Sequence, residues 1–203
     1  FIFTSDHGDM LNSQGLGTKL FPWDESIRVP FLLRWPALPH LAGTTSPLPI
    51  DAPDILPTLL GLCRLPIPTT VEGTDWSPQI RGEKPLTGAE SAFLCMPSEF
   101  TELRRYGLPA YRSLRDARYT YVRSRQGPWL LFDNERDPYQ MHNAVNRPEL
   151  AAVQAELDRR LRARLAERND EFLDSAVYLQ RAGLTHYGET RSELIRPWRD
   201  PWS

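Results

Sequence analysis

The chain opens with Phe1-Ile2-Phe3-Thr4-Ser5-Asp6-His7-Gly8-Asp9, an apolar run that ends abruptly in polar residues and a glycine. Its first four residues are all aromatic or β-branched, which predicts a buried β-strand. Open α/β sheets place ligand sites where such strands end, so Asp6 and His7 are expected at a site. Gly8 would let the backbone turn sharply or pass close to a ligand.

The polar end of this stretch has two interpretations. A carboxylate beside a neutral imidazole suits a divalent cation, and the carboxylate favours harder ions such as calcium or magnesium. Lys19 follows on the same segment as a compact cation that can meet an anionic substrate. Taken by itself, however, an Asp-His pair after a strand is more often a cap, a turn or a surface pair.

The next predicted elements continue an α/β pattern. The apolar run from Val29 to Trp35 predicts a second strand. A short helix is expected from about Ile55 to Cys63, capped by Asp51 or Asp54, and it tolerates Pro57 only in its first turn. These elements would complete the edge of a large mixed sheet flanked by helices.

After residue 86 the pattern changes to short alternating or aromatic runs separated by turn residues. Four strands are predicted: Ser91 to Cys95, Tyr111 to Arg115, Tyr119 to Arg123 and Trp129 to Asp133. Gln126-Gly127-Pro128 is typical of a hairpin turn. The fold class is therefore α/β, with residues 1–86 as part of the main domain, 87–168 as a small antiparallel sheet with a helix, and 169–203 as an irregular tail.

The clearest predicted helix runs from Asn146 to Arg168. Asn146 and Glu149 have the spacing of a capping box. Apolar residues recur every three or four positions and form one stripe: Leu150, Val153, Leu157, Leu161 and Leu165. Acids alternate with the arginines on the other face and pair with them, Glu156 with Arg160 and Asp158 with Arg162. This face is expected to be solvated rather than to bind a polyanion.

Composition limits the classes of function. The 203 residues carry 24 basic and 26 acidic side chains, a net charge of −2. This balance gives no basic footprint for nucleic acid, and no apolar run is long enough to cross a bilayer. Cys63 and Cys95 lack the spacing of metal ligands and are expected to be ordinary thiols rather than a disulfide.

Six motifs follow one another in the chain: Ser5-Asp6-His7-Gly8-Asp9, Gly15-Leu16-Gly17-Thr18-Lys19, Glu25-Ser26-Ile27-Arg28-Val29-Pro30-Phe31-Leu32, Asp51-Ala52-Pro53-Asp54-Ile55-Leu56-Pro57-Thr58-Leu59-Leu60, Glu72-Gly73-Thr74-Asp75-Trp76, and Leu131-Phe132-Asp133-Asn134-Glu135-Arg136-Asp137-Pro138. In this order, over about residues 1 to 165, they resemble the second half of the sulfatase family, within the alkaline-phosphatase superfamily. The resemblance implies the carboxyl-terminal part of an alkaline-phosphatase-like mixed sheet, followed by a small antiparallel sheet with a packed amphipathic helix.

The resemblance also implies a reaction, the hydrolysis of a sulfate monoester of a carbohydrate or aryl compound. Asp6 and His7 match two ligands of a divalent metal, with Ca²⁺ the expected ion. Lys19 matches the lysine that contacts the sulfate ester. Gln14 stands where many relatives carry a histidine, so it is a candidate substrate contact that cannot titrate near neutrality.

One motif of the family does not occur in this chain. No Cys-x-Pro-x-Arg or Ser-x-Pro-x-Arg sequence is present. The formylglycine nucleophile made from such a residue, its partner arginine and the other metal carboxylates are therefore expected in a preceding half. By itself the chain should not turn over a sulfate ester, and it should expose apolar surface and an unpaired strand edge that make it poorly soluble.

Two other functions fit the same residues. Phosphonate or phosphate ester hydrolysis is possible because superfamily relatives share the Asp-His-Gly sequence, and fold alone does not separate the reactions. A non-catalytic truncated chain or pseudoenzyme that binds anions or a partner is the other. Surface, packing or turn roles are expected for the remaining polar candidates: His40, His142, His186, Asp133, Asp137 and Asn143.

Overall fold

The computed structural model describes residues 1–99 and 101–185. Two compact units interleave along the chain. Unit 1 comprises Phe1–Asp6, Val29–Phe93 and Arg115–Ala117, and unit 2 comprises His7–Arg28, Leu94–Leu114 and Arg118–Ser203. The division at residues 86 and 168 stays a prediction. The side chain of His40 and all of residues 186–203, which include His186, lie outside the described part. The described part of the predicted irregular tail contains a helix, Ser175–Arg181, which corrects that prediction.

The described residues contain both β-strands and α-helices. The strands are β1 (Ile2–Thr4), β2 (Phe31–Leu33), β3 (Ser91–Met96), β4 (Tyr111–Asp116), β5 (Tyr119–Ser124) and β6 (Gly127–Asp133). The helices are α1 (Asp24–Ile27), α2 (Ala52–Leu62), α3 (Ser77–Ile80), α4 (Thr101–Tyr106), α5 (Ala151–Glu167) and α6 (Ser175–Arg181). This mixture confirms the predicted α/β class.

The opening strand pairs with β2 in an antiparallel two-stranded sheet, in which Phe3 stands opposite Leu32. Side chains alternate between the two faces of such a sheet. Phe3 and Leu32 therefore share one face, where they are 53% and 59% exposed. The expectation that β1 is buried is wrong for this face, because nothing among the described residues covers it.

Helix α2 begins three residues before the predicted start. The Asp51 carboxylate accepts from the Ala52 amide at 2.8 Å, and Asp51 and Asp54 form a capping box. Pro57 therefore lies inside the helix and not in its first turn, which corrects the prediction. A proline there cannot donate to the carbonyl of Pro53. Gly73 approaches that same carbonyl so closely that an added Cβ would lie 1.9 Å from its oxygen.

The second sheet has the strand order β3-β4-β5-β6, which confirms the four predicted strands. Strands β5 and β6 are antiparallel, and Ser124 stands opposite Gly127. The hairpin turn is thus Arg125-Gln126, one residue earlier than the predicted Gln126-Gly127-Pro128. A register shift between Val122 and Arg123 marks an irregularity in this pair.

Unit 2 has a core built from two parts of the chain. Residues 7–28 contribute Met10, Leu16, Phe21 and Trp23, and the later segments contribute Leu103, Leu108, Tyr111, Val122, Leu130 and Phe132. The ring of Trp23 packs edge-on against that of Trp129, with centroids 6.1 Å apart. The segment after β1 is therefore held by apolar burial, although it contains little regular structure.

Helix α5 confirms the predicted apolar stripe, since Leu157 and Leu161 are 2% and 0% exposed. The predicted capping box is wrong. A 3₁₀ turn at Pro148–Leu150 precedes the helix, and Asn146 has a left-handed φ of 60° and exchanges hydrogen bonds with Gln154 instead. Over the described residues, no helix combines the length and apolar character needed to cross a membrane.

Candidate functional site

The candidate site is carried by residues 7–28, here called the site loop. Five of its non-glycine residues have a left-handed backbone, with φ between 47° and 82°: Leu11, Asn12, Gln14, Thr18 and Leu20. Such conformations cost of the order of 1–3 kcal/mol each and persist only when surrounding contacts impose them. Lys19 lies between two of these residues and is exposed. The loop therefore presents its one lysine from a backbone that is constrained on both sides.

Hydrogen bonds within unit 2 hold the site loop on either side of Lys19. The Met10 amide donates to the Thr18 carbonyl at 2.6 Å. The Gly17 amide donates to the Tyr106 hydroxyl at 3.0 Å, and the Tyr111 hydroxyl donates to the Leu20 carbonyl at 3.2 Å. Burial raises the pKa of Tyr111, so its hydroxyl stays protonated and able to donate. These contacts fix the backbone from which Lys19 projects.

The backbone of residues 25 and 26 leaves room only for glycine at position 8. Its amide donates to the Ser26 carbonyl at 2.8 Å, and an added Cβ would lie 2.0 Å from the carbonyl oxygen of Glu25. Real Cβ atoms do not approach a backbone oxygen so closely, so only glycine fits. The expected close approach of Gly8 is thus to helix α1, which corrects the interpretation of a close approach to a ligand.

His7 is exposed, and its Nδ1 lies 2.7 Å from the carbonyl oxygen of Gly8. Because a carbonyl only accepts, Nδ1 carries the proton in the neutral ring, and the lone pair is then on Nε2. A backbone carbonyl that fixes the tautomer of a histidine in this way is typical of metal-ligating histidines. His7 therefore fits the ligand role that was predicted for it.

Asp6 is exposed and accepts a hydrogen bond from the Ser5 hydroxyl at 3.2 Å. It belongs to unit 1, whereas His7, Gln14 and Lys19 belong to unit 2. Within the described ranges, no group of three or more His, Cys, Asp or Glu side chains could hold a metal ion. An ion held by Asp6 and His7 would need further ligands from outside this set.

Gln14 joins the site loop to the turn that follows β6. Its Nε2 donates to the Tyr139 carbonyl at 2.9 Å and lies 3.7 Å from the Met141 sulfur. The carbonyl settles the orientation of the amide, because a flipped amide would set two acceptors against each other. The Gln14 Oε1 is buried and accepts no hydrogen bond among the described residues. The Gln14 carboxamide thus has its donor engaged and its acceptor buried.

Residues 13–167 match the family described as N-sulphoglucosamine sulphohydrolase, C-terminal. The chain belongs to this sulfatase family. An ulvan-active sulfatase of Formosa agariphila is 41% identical over 184 residues, which cover 89% of this chain and 35% of the relative. The resemblance to sulfatases that the motifs carried is therefore confirmed.

Solved structures share the fold of this chain. A sulfatase candidate from Bacteroides fragilis superposes with a TM-score of 0.68 at 29% identity, over 84% of this chain and 36% of that one. The phosphonate monoester hydrolase of Agrobacterium radiobacter superposes with a TM-score of 0.65 at 28% identity, over 82% and 34%. The chain thus spans about a third of the length of the proteins that it matches.

Sequence analysis missed a buried residue of this sulfatase-family domain, Gln140. It is 2% exposed and has a left-handed φ of 52°. Its carboxamide contacts Asp24 at the start of α1, 116 positions earlier in the chain. Only the neighbouring Asp137-Pro138 turn gives a local signal here, and that signal does not reach Asp24.

Three of the remaining polar candidates, Asp133, Asp137 and Asn143, have the structural roles that were expected. The Asp137 carboxylate accepts from the amides of Met141 and His142, at 3.0 and 2.7 Å, and so closes the turn. The Asn143 side chain accepts from the Leu131 amide at 3.0 Å. The hydrogen bond from Arg118 lowers the pKa of Asp133 below its usual value. These groups support the turn that contacts Gln14.

Proposed function

We propose that this chain acts within a metal-dependent sulfatase that hydrolyses the sulfate monoester of a carbohydrate. The observation that carries the proposal is the constrained presentation of Lys19 on a loop anchored in the core of a sulfatase-family domain. The description of the matched family and the name of the ulvan-active relative support a carbohydrate substrate rather than an aryl sulfate.

Lys19 would contact the sulfate group. Sulfuryl transfer builds negative charge on the peripheral and leaving oxygens, and a cation fixed beforehand stabilises that charge without reorganising. An ammonium on a long flexible stem is suited to this only when its backbone is held, as the flanking left-handed residues and their hydrogen bonds hold it here. Gln14 is the second proposed substrate contact, and its Nε2 keeps the loop on the Tyr139 turn.

Asp6 and His7 would bind the metal, for which Ca²⁺ is the proposed ion. Bound there, such an ion would act as a Lewis acid toward the sulfuryl oxygens. The carboxylate suits a hard cation, and the Gly8 carbonyl orients the imidazole. The formylglycine nucleophile is proposed to come from a part of the protein outside these 203 residues, since the chain has no Cys-x-Pro-x-Arg or Ser-x-Pro-x-Arg sequence.

A matched pair of lysine variants tests the role of Lys19. The chain has one other lysine, Lys84, which is also exposed but lies in unit 1. In the complete protein, Lys19→Ala is expected to lower kcat/KM for sulfate release by about 10²-fold or more, the scale seen when one stabilising donor is removed. Sulfate is measured by ion chromatography after incubation with a glucosamine sulfate and with ulvan fragments.

Lys84→Ala serves as the control and should keep both activity and melting temperature. Equal losses of kcat/KM in the two variants would show that Lys19 is not the sulfate contact. If the wild-type protein is active and Lys19→Ala has the same kcat/KM, the protein is a sulfatase in which another residue contacts the sulfate.

Phosphonate ester hydrolysis is the second candidate, because the Agrobacterium phosphonate monoester hydrolase shares the fold at 28% identity. The same Lys19 would serve a phosphonate anion, so the residues of this chain do not separate the reactions. Measuring kcat/KM for an aryl phosphonate monoester and for the sulfate esters distinguishes the two reactions. A higher kcat/KM on the phosphonate would replace the sulfatase proposal.

A further inference from the structure

Helix α1 connects both functional parts of the site loop. The Ser26 carbonyl accepts from the Gly8 amide at 2.8 Å, directly after His7. The Ser26 hydroxyl accepts from the Phe21 amide at 3.3 Å, two residues after Lys19. Ser26 is 3% exposed. The position of α1 therefore determines the position of the backbone beside both His7 and Lys19.

This one-turn helix has no cap of its own. Trp23 stands at its N-cap and provides no side-chain hydrogen bond. The first amides of a helix lack internal partners and need an acceptor from elsewhere. The Asp24 amide finds one in Gln140, whose Oε1 lies 2.8 Å away. The helix is thus capped by a residue from the turn after β6.

The nitrogen of the same carboxamide lies beside the carboxylate of Asp24. The Gln140 Nε2 lies 3.1 Å from the Asp24 carboxylate, 3.1 Å from the Thr120 hydroxyl and 2.7 Å from the Asn134 side-chain oxygen. The Asp24 amide fixes the orientation, since a flipped Gln140 would oppose two donors. Thr120 and Asn134 in turn hold the carboxamide on β5 and on the turn that follows β6.

We propose that Gln140 is a positioning residue for His7 and Lys19, acting through Asp24 and helix α1. The proposal rests on the proposed function for its catalytic consequence and on these contacts for its structural one. Because Gln140 is 2% exposed, it acts through these contacts rather than on substrate. Loss of its carboxamide would remove the acceptor that it provides to the Asp24 amide and would loosen the segment that holds both functional residues.

Hydrogen exchange in the complete protein tests the structural step directly. In Gln140→Ala, the amides of Gly8 and Phe21 should exchange at least about tenfold faster, because their acceptor Ser26 is no longer fixed. Peptides from residues 29–93 of unit 1 should keep their exchange rates. Unchanged exchange over residues 7–28 in a folded Gln140→Ala protein would overturn the proposal.

Kinetics test the catalytic step against a matched buried variant. Thr58 is 1% exposed, and its hydroxyl accepts from the Trp76 amide at 3.1 Å within unit 1. Gln140→Ala should lower kcat/KM about 10- to 100-fold at a temperature where it is folded, as supporting contacts of a site typically do. Thr58→Ala should lose stability and keep kcat/KM within about twofold.

A second variant keeps the test usable if Gln140→Ala does not fold. Gln140→Met keeps an unbranched side chain of similar length but has no acceptor for the Asp24 amide. It should show the same faster exchange over residues 7–28 and the same loss of kcat/KM. Wild-type exchange and wild-type kcat/KM in a folded Gln140→Met protein would overturn the proposal.

The two proposals fail in distinguishable ways. A wild-type protein that releases no sulfate overturns the proposed function, while the exchange experiment still decides the role of Gln140. An active wild type with Gln140 variants as active as Thr58→Ala overturns the positioning role alone.

Discussion

At Gly8 the backbone passes within contact distance of the Glu25 carbonyl, where an added Cβ would lie 2.0 Å from the oxygen. Both groups are main chain, so neither can move aside without displacing His7 or α1. Gly8→Ala is expected to lower the free energy of unfolding by about 1–3 kcal/mol, the usual cost of overpacking, and to lower sulfate release. Chemical denaturation and steady-state kinetics measure the two effects.

Gly17 offers the control on the same loop. A Cβ there would meet the Tyr106 hydroxyl at 3.3 Å and the Asn12 side-chain oxygen at 3.8 Å, and both atoms are ends of side chains. Gly17→Ala should therefore cost less than Gly8→Ala. Equal losses of stability in the two variants would show that the contact with Glu25 is not what requires glycine.

At the scale of elements, a buried ion pair ties strand β4 to the segment after α5. The Arg112 Nη2 donates to the Asp170 carboxylate at 3.0 Å, its Nε bonds the other oxygen, and its guanidinium stacks 4.4 Å from the centre of the Phe172 ring. Burial alone would raise the pKa of Asp170, but hydrogen bonds from Arg112 and the Phe172 amide lower it below its usual value.

This pair predicts a loss of stability in acid. Because the pKa of Asp170 is lower in the folded state, the carboxylate stabilises the fold above its unfolded pKa, and that contribution disappears as the pH falls through the folded pKa. Asp170→Asn should lose about 3–5 kcal/mol at pH 7, since it leaves the buried Arg112 charge without its partner. Urea titrations between pH 7 and pH 3 should then show a flatter pH dependence.

Glu171 is the neighbouring control. It pairs with Arg181 where both side chains are more than half exposed, so Glu171→Gln should change stability far less at every pH. A pH dependence in Asp170→Asn as steep as that of the wild type would contradict the assignment to Asp170.

At the scale of the whole molecule, one face of the β1–β2 sheet remains uncovered by the described residues. Phe1, Phe3 and Leu32 are 79%, 53% and 59% exposed, and the sheet has only two strands. Unpaired strand edges beside apolar side chains promote association. A protein of residues 1–203 is expected to self-associate, and Phe3→Thr/Leu32→Lys should raise its monomer fraction in sedimentation experiments.

Leu65→Lys, which removes a single exposed leucine in unit 1, should leave the association unchanged. A monodisperse sample of residues 1–203 that melts cooperatively would show that this face does not drive association.

Much of the fold could be predicted because its signals are local. The alternation in β3 to β6 and the leucine spacing in α5 act within a few residues, and they predicted elements that the structure confirms. The Asp6-His7-Gly8 and Lys19 motifs likewise indicated the sulfatase family from sequence. Caps and turns were predicted less well, since Asn146 bonds Gln154 instead of capping α5, and Pro57 lies inside α2.

Tertiary structure alone decided how the site loop is held. The contact of Gly8 with Glu25 and the cap that Gln140 gives to Asp24 join residues that no local pattern links, the second across 116 positions. Periodicity reports which face of an element is buried, but it does not report which distant polar group will satisfy an unpaired amide. The chemistry proposed for the site therefore rests on residue types, whereas the rigidity of the site loop depends on contacts that exist only in the folded chain.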